Sequence, residues 1–132
     1  VRIIRKIIIH CSDSDYVHHD NIETIRQWHL ERGFSDIGYH FIITKDGKIH
    51  KGRDINTRGA HTKGHNKESI GICLTGSRIF SDLQRESLKT LLESDLLPEH
   101  KLDKSHVFNH SDLDKNKSCP NFNVHQVLMW ER

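Results

Sequence analysis

Residues 3–12 read IIRKIIIHCS. Ile7, Ile8 and Ile9 form an unbroken β-branched run, the pattern of a strand buried on both faces. The run ends at His10. Arg5 and Lys6 interrupt the apolar stretch, which is too short for the apolar region of a signal peptide and far short of a membrane span. A strand covered on both faces needs layers on either side, so the pattern after it decides the architecture.

That pattern alternates. From Asp20 to Arg32 the period turns helical: Asp20 and Glu23 resemble a capping box, and Ile22, Ile25, Trp28 and His29 share one face, with Gly33 as the stop. Tyr39 to Thr44 and Lys48 to Lys51 read as two strands around a Lys45-Asp46-Gly47 turn. A glycine-rich loop follows from Gly52 to Lys67, and Ser69 to Thr75 is another apolar strand. Ser81 and Gln84 open a second helix that carries Leu88, Leu91, Leu92 and Leu96 on one face and is expected to close at Pro98. Ser105 to His110 reads as a short strand with a histidine at its end. Asn123 caps a final helix with Val124, Val127 and Leu128. Strands interleaved with helices predict an α/β fold: a single domain over residues 1–132, with a central mixed sheet flanked by helices.

Composition narrows the chemistry. Twenty Lys and Arg against eighteen Asp and Glu leave a net charge of +2, so a protein held to nucleic acid mainly by charge is excluded. This also argues against a zinc nuclease, which the Asn109-His110 pair superficially suggests. Histidine is overrepresented, at twelve residues. The three cysteines, at 11, 73 and 119, cannot all pair within one chain and contain no Cys-x-x-Cys. They argue against a disulfide framework and fit a reducing compartment.

Catalytic zinc typically takes three protein ligands and leaves a position for water. His10 and His110 stand at strand ends, and Cys119 lies in a polar loop after His110. They are candidate ligands, although twelve histidines allow many other triples. Cys73, between Ile72 and Leu74, reads as a small core residue. Cys11 faces away from His10 in an extended strand, so the two do not share one metal. His29 reads as decorating its helix, His106 as structural, and His40 has no evident partner. A zinc hydrolase also needs a group to activate or position water and another to stabilise an oxyanion. The phenol of Tyr39 and the ammonium of Lys117 could do this, although alone each reads as an ordinary packing or solvated residue.

Several segments, taken in order, resemble the type-2 N-acetylmuramoyl-L-alanine amidases, whose fold is shared with peptidoglycan recognition proteins. They are IHCS (9–12), IRQWH (25–29), GYHFII (38–43), DGKIHKGRD (46–54), GAHTKG (59–64), SIGICLTG (69–76) and CPNF (119–122). The likeness runs from about His10 to Trp130 and is greatest toward the short phage lysozymes of that family. The chain departs from that pattern in a longer loop from His110 to Cys119 and a shorter stretch from Gly76 to Ser81.

The resemblance implies a zinc hydrolase of the amide between the muramoyl lactyl group and L-alanine. It puts one Zn²⁺ on His10, His110 and Cys119. The third position is a cysteine in the phage lysozymes and an aspartate in many other members. The resemblance also makes Tyr39 and Lys117 catalytic and gives His61 a place in the substrate groove. The expected partner is peptidoglycan, gripped by the catalytic groove without a separate wall-binding domain. The chain is expected to be monomeric and to collect in the host cytoplasm, reaching the wall on lysis, with a holin for passage if it is of phage origin. Two other readings go with the family: a non-catalytic peptidoglycan-binding module, and an additional regulator that restrains a phage RNA polymerase.

Overall fold

A computed structural model describes residues 2–129 of the chain; Trp130, where the resemblance ends, lies outside the described residues. One five-stranded sheet organises the molecule. Its strands are β1 (Lys6–Cys11), β2 (Phe41–Ile43), β3 (Ile49–Lys51), β4 (Ser69–Leu74) and β5 (Val107–Asn109), in the order β3-β2-β4-β1-β5. β1 runs parallel to β4 and β5, β4 runs parallel to β2, and only edge strand β3 is antiparallel. The sheet is therefore mixed, with β4, buried throughout, and β1, buried from Ile7 to Cys11, side by side near its centre.

Register sorts the side chains onto two faces. His10 pairs with Cys73, which pairs with Ile42. Because direction alternates along a strand, Ile7, Ile9, Cys11, Ile70, Ile72 and Leu74 point to the other face, into the main core. There they meet α2 (Asp82–Thr90), its continuation through Leu91–Leu96 and α3 (Leu97–His100), and α5 (Val124–Met129). The His10 face is covered by α1 (Ile22–Glu31), whose Ile22 and Ile25 pack with Ile37, Ile42 and Cys73. Part of it is left low, because β4 presents Ser69, Gly71 and Cys73 on that side. This gives the site its room.

Three local expectations are corrected. The cap of α1 is Asn21, whose Oδ1 accepts the Thr24 N–H at 2.8 Å. Asp20 instead accepts from the Lys45 N–H at 3.0 Å and the Thr75 hydroxyl at 2.5 Å, tying α1 to the sheet. The second helix does not close at Pro98. Leu91–Leu96 form a π-helical stretch, Pro98 stands in the first turn of α3, and the helix stops at Lys101 with φ 57°. Proline is tolerated there because the first turn of a helix needs no intrahelical N–H donor. His106 lies in a tight turn before β5, and Asp103 caps that turn. The capping box of Ser81 and Gln84 forms as expected. No helix among the described residues is long and apolar enough to cross a membrane.

Candidate metal centre and its cleft

His10 lies in the last turn of the pleat of β1, and His110 follows β5 as the first residue of α4 (His110–Leu113). The strands are hydrogen-bonded neighbours, so the two imidazoles meet although 100 residues separate them. Their Nδ1 atoms stand 3.1 Å apart. The loop after α4 folds back because the Ser111 N–H donates to the Cys119 carbonyl at 2.9 Å. The Cys119 Sγ thereby reaches the same point, and the ligand atoms of His10, His110 and Cys119 all lie within 4.8 Å of one another. The peptide between Cys119 and Pro120 is cis.

The residues fit a zinc ion. Two nitrogens on a tetrahedral Zn²⁺, each about 2.0–2.1 Å from it, stand about 3.3 Å apart. Two neutral imidazoles whose Nδ1 atoms meet at one point either share a cation or have the Nδ1–H of one ring donating to the other. Both rings are in the neutral form that a metal needs. Burial holds His10 well below its ordinary value of 6.5, and the neighbouring His61 and His110 push it the same way. Burial also lowers His110; Asp114 opposes this and Lys117 adds to it. The adjacent Cys11 thiol and burial push the Cys119 thiol up, while the Cys11 N–H, 2.8 Å from its Sγ, pulls it down. A bound divalent cation tips that balance to thiolate outright.

The centre opens on a cleft of about 770 Å³, walled by Trp28, Tyr39, His61, His110, Lys117 and Cys119, among others. All six sequence-derived site residues therefore gather here: five line the cleft, and His10, 1% exposed, lies beneath it. The Tyr39 ring is centred 5.0 Å from that of His10, and burial raises its hydroxyl well above the ordinary 10. Lys117 is exposed at the rim, its N–H turned back to the Asp114 carbonyl at 3.0 Å. His61 touches His10, its Nδ1 standing 2.9 Å from the His10 Nε2. Asp112, beside the ligands in sequence, accepts the Asn109 N–H at 2.9 Å.

Two supporting residues escape the sequence reading. His29 is buried, and its Nδ1 accepts the Gly38 N–H at 2.8 Å, which fixes the segment carrying Tyr39. Its place beside Ile22 and Ile25 on the apolar stripe was the available signal. His40 has partners after all: its Nδ1 accepts the Gly71 N–H at 3.0 Å, and its Nε2 donates to the Thr57 carbonyl at 2.8 Å. Cys73 is a core residue as expected, and the Tyr39 hydroxyl also lies against its thiol. Nothing in the sequence marks that contact.

The N-acetylmuramoyl-L-alanine amidase family model matches residues 1–122. The endolysin of Enterobacteria phage T3 is 38% identical over 134 aligned residues, covering 96% of this chain and 85% of that one. Among solved structures, the N-acetylmuramoyl-L-alanine amidase LysC from Clostridium intestinale superposes with a TM-score of 0.86 at 28% identity, over 98% of this chain and 85% of that one. A point mutant of Drosophila PGRP-LB in complex with tracheal cytotoxin superposes with a TM-score of 0.75 at 28% identity, over 91% of this chain and 76% of that one.

Proposed function

Because the chain belongs to the N-acetylmuramoyl-L-alanine amidase family, we propose that it hydrolyses the amide bond joining the lactyl group of N-acetylmuramic acid to L-alanine in peptidoglycan, as a zinc-dependent endolysin. The observation that carries this reading is the His10–His110 Nδ1 separation of 3.1 Å with Cys119 beside it, at the base of an open cleft. A complete ligand set favours an enzyme over a module that only binds wall fragments. The likeness to a recognition protein held with tracheal cytotoxin supports a muropeptide as the occupant of the cleft.

His10, His110 and Cys119 would hold the Zn²⁺, which supplies Lewis-acid activation of water and of the scissile carbonyl. Around it the chain's own groups divide the remaining work. Tyr39, at the cleft beside the His10 ring, would orient or deprotonate the attacking water through its hydroxyl. Lys117 brings a positive charge to the rim, where it stabilises negative charge developing on the lactyl carbonyl oxygen. Trp28 supplies an apolar wall for the substrate. The test is mass analysis of the products from purified peptidoglycan. New lactyl ends and free L-alanine amines are expected, and cleavage of glycosidic bonds instead would overturn the reading.

A further inference from the structure

His61 sits in a slot that two glycines keep clear. A Cβ added to Gly71 on β4 would stand 2.5 Å from the His61 ring, and one added to Gly59 would stand 2.6 Å from it. Its backbone is pinned as well, since the Asn66 Oδ1 accepts both the His61 N–H at 3.0 Å and the Thr62 N–H at 2.9 Å. The ring thus held meets three groups: Nδ1 faces the His10 Nε2 at 2.9 Å and the Thr62 Oγ1 at 3.0 Å, and Nε2 faces the Ser69 Oγ at 3.3 Å. The Ser69 hydroxyl can donate or accept, so the His10 side decides the tautomer: once His10 turns its Nδ1 lone pair to the metal, its Nε2 carries the proton and the His61 Nδ1 must accept it. With its proton on Nε2, His61 accepts from His10 and donates to Ser69.

We propose that His61 is a positioning residue for the metal centre: its Nδ1 takes the Nε2 proton of His10 and so fixes His10 in the tautomer whose Nδ1 lone pair faces His110. A histidine that binds metal through one nitrogen commonly donates the other N–H to a fixed acceptor, which sets both ring orientation and ligand basicity. Here the acceptor is another histidine, locked in turn by Ser69 and by the two glycines. Both nitrogens of His61 are engaged inside the protein, so the residue serves the metal rather than a ligand in the cleft. This inference rests on the zinc reading above.

The test is Zn²⁺ affinity of the full chain, measured by competition with a chromophoric chelator, with circular dichroism to check folding. The wild type must bind Zn²⁺; if it does not, the zinc reading fails and the inference falls with it. Given that binding, His61→Ala is expected to weaken it roughly 10–100-fold. His61→Asn, whose Oδ1 stands in for Nδ1, is expected to recover most of the loss, whereas the similarly sized His61→Leu is not. Gly71→Ala, outside the ligand set, is expected to follow His61→Ala by displacing the ring. Wild-type affinity in both His61→Ala and His61→Leu, or an equal loss in the Asn and Leu variants, would overturn the proposal. The first result would assign the proton to the Thr62 hydroxyl, 3.3 Å from the His10 Nε2.

Discussion

The backbone N–H of Cys11 donates to the Sγ of Cys119 across 2.8 Å, joining the first strand to a loop 108 residues later. One strand end thus does two jobs: the side chain of His10 offers a ligand atom, and the next peptide orients another. A backbone donor also favours the thiolate over the thiol. The Cys11 thiol packs in the main core beside Cys119 and is not among the clustered ligand atoms.

Cys119→Ser is expected to lose stoichiometric zinc while keeping its fold, because a neutral hydroxyl is a poor ligand for this ion. Cys119→Asp is expected to keep part of the affinity, since a carboxylate oxygen is an ordinary zinc ligand. Metal content after gel filtration measures both. A serine variant still loaded with zinc would remove Cys119 from the ligand set.

Lys117 and Tyr39 stand at the cleft without offering a ligand atom to the cluster, so their loss should separate turnover from metal content. Lys117→Ala and Tyr39→Phe are each expected to lower kcat by roughly a hundredfold. Zinc content should stay at the wild-type level in both. Steady-state release of peptide from peptidoglycan, measured beside metal analysis, decides the matter. Loss of zinc in either variant would show a structural part in place of the proposed one.

The sheet and its helical layers were legible because they rest on periodicity. The Ile7–Ile9 run fixed a doubly buried strand, and Leu88, Leu91, Leu92 and Leu96 fixed the face that covers it. Pro98 misled because its cost depends on whether the preceding turn still needs its N–H, and a π-helical stretch is not written in residue type. The ligand triple was among many that twelve histidines permit; only the order of several motifs singled it out. The supporting residues were least visible. His29, His40 and Thr62 act through backbone N–H groups or a neighbouring ring, contacts set by register between distant strands. The short stretch after Gly76 shows the same limit. The Asp15 carboxylate accepts the N–H groups of Ser77, Arg78 and Ile79, at 2.8, 3.0 and 3.3 Å, and so clamps that stretch from more than sixty residues away.

Gly38→Ala tests how tightly the Tyr39 segment is built. A Cβ there would stand 2.3 Å from the backbone oxygen of Ala60, which cannot yield without moving the loop. The Gly38 N–H is also held by His29. Overpacking of this kind costs about 1–3 kcal/mol, read as a lower midpoint in urea with little change in slope. An unchanged midpoint would mean that the 59–64 loop gives way freely.

Acid should destabilise the fold in a defined window. Burial is the main cause that holds His29 and His40 down to about 4, from an ordinary value of 6.5. Between those values the unfolded chain binds protons at both positions and the folded chain does not. The stability these two histidines supply is therefore full above about pH 6.5, falls as pH drops toward 4 and is lost below it, each being worth on the order of 3 kcal/mol at most. The same window would strip zinc as its ligands protonate, so the melting temperature must be followed in chelator as well as with metal. A fall between pH 6.5 and 4 in chelator is the expected result. A flat metal-free profile with a sloping metal-loaded one would place the whole acid response on the ligands and none on His29 and His40.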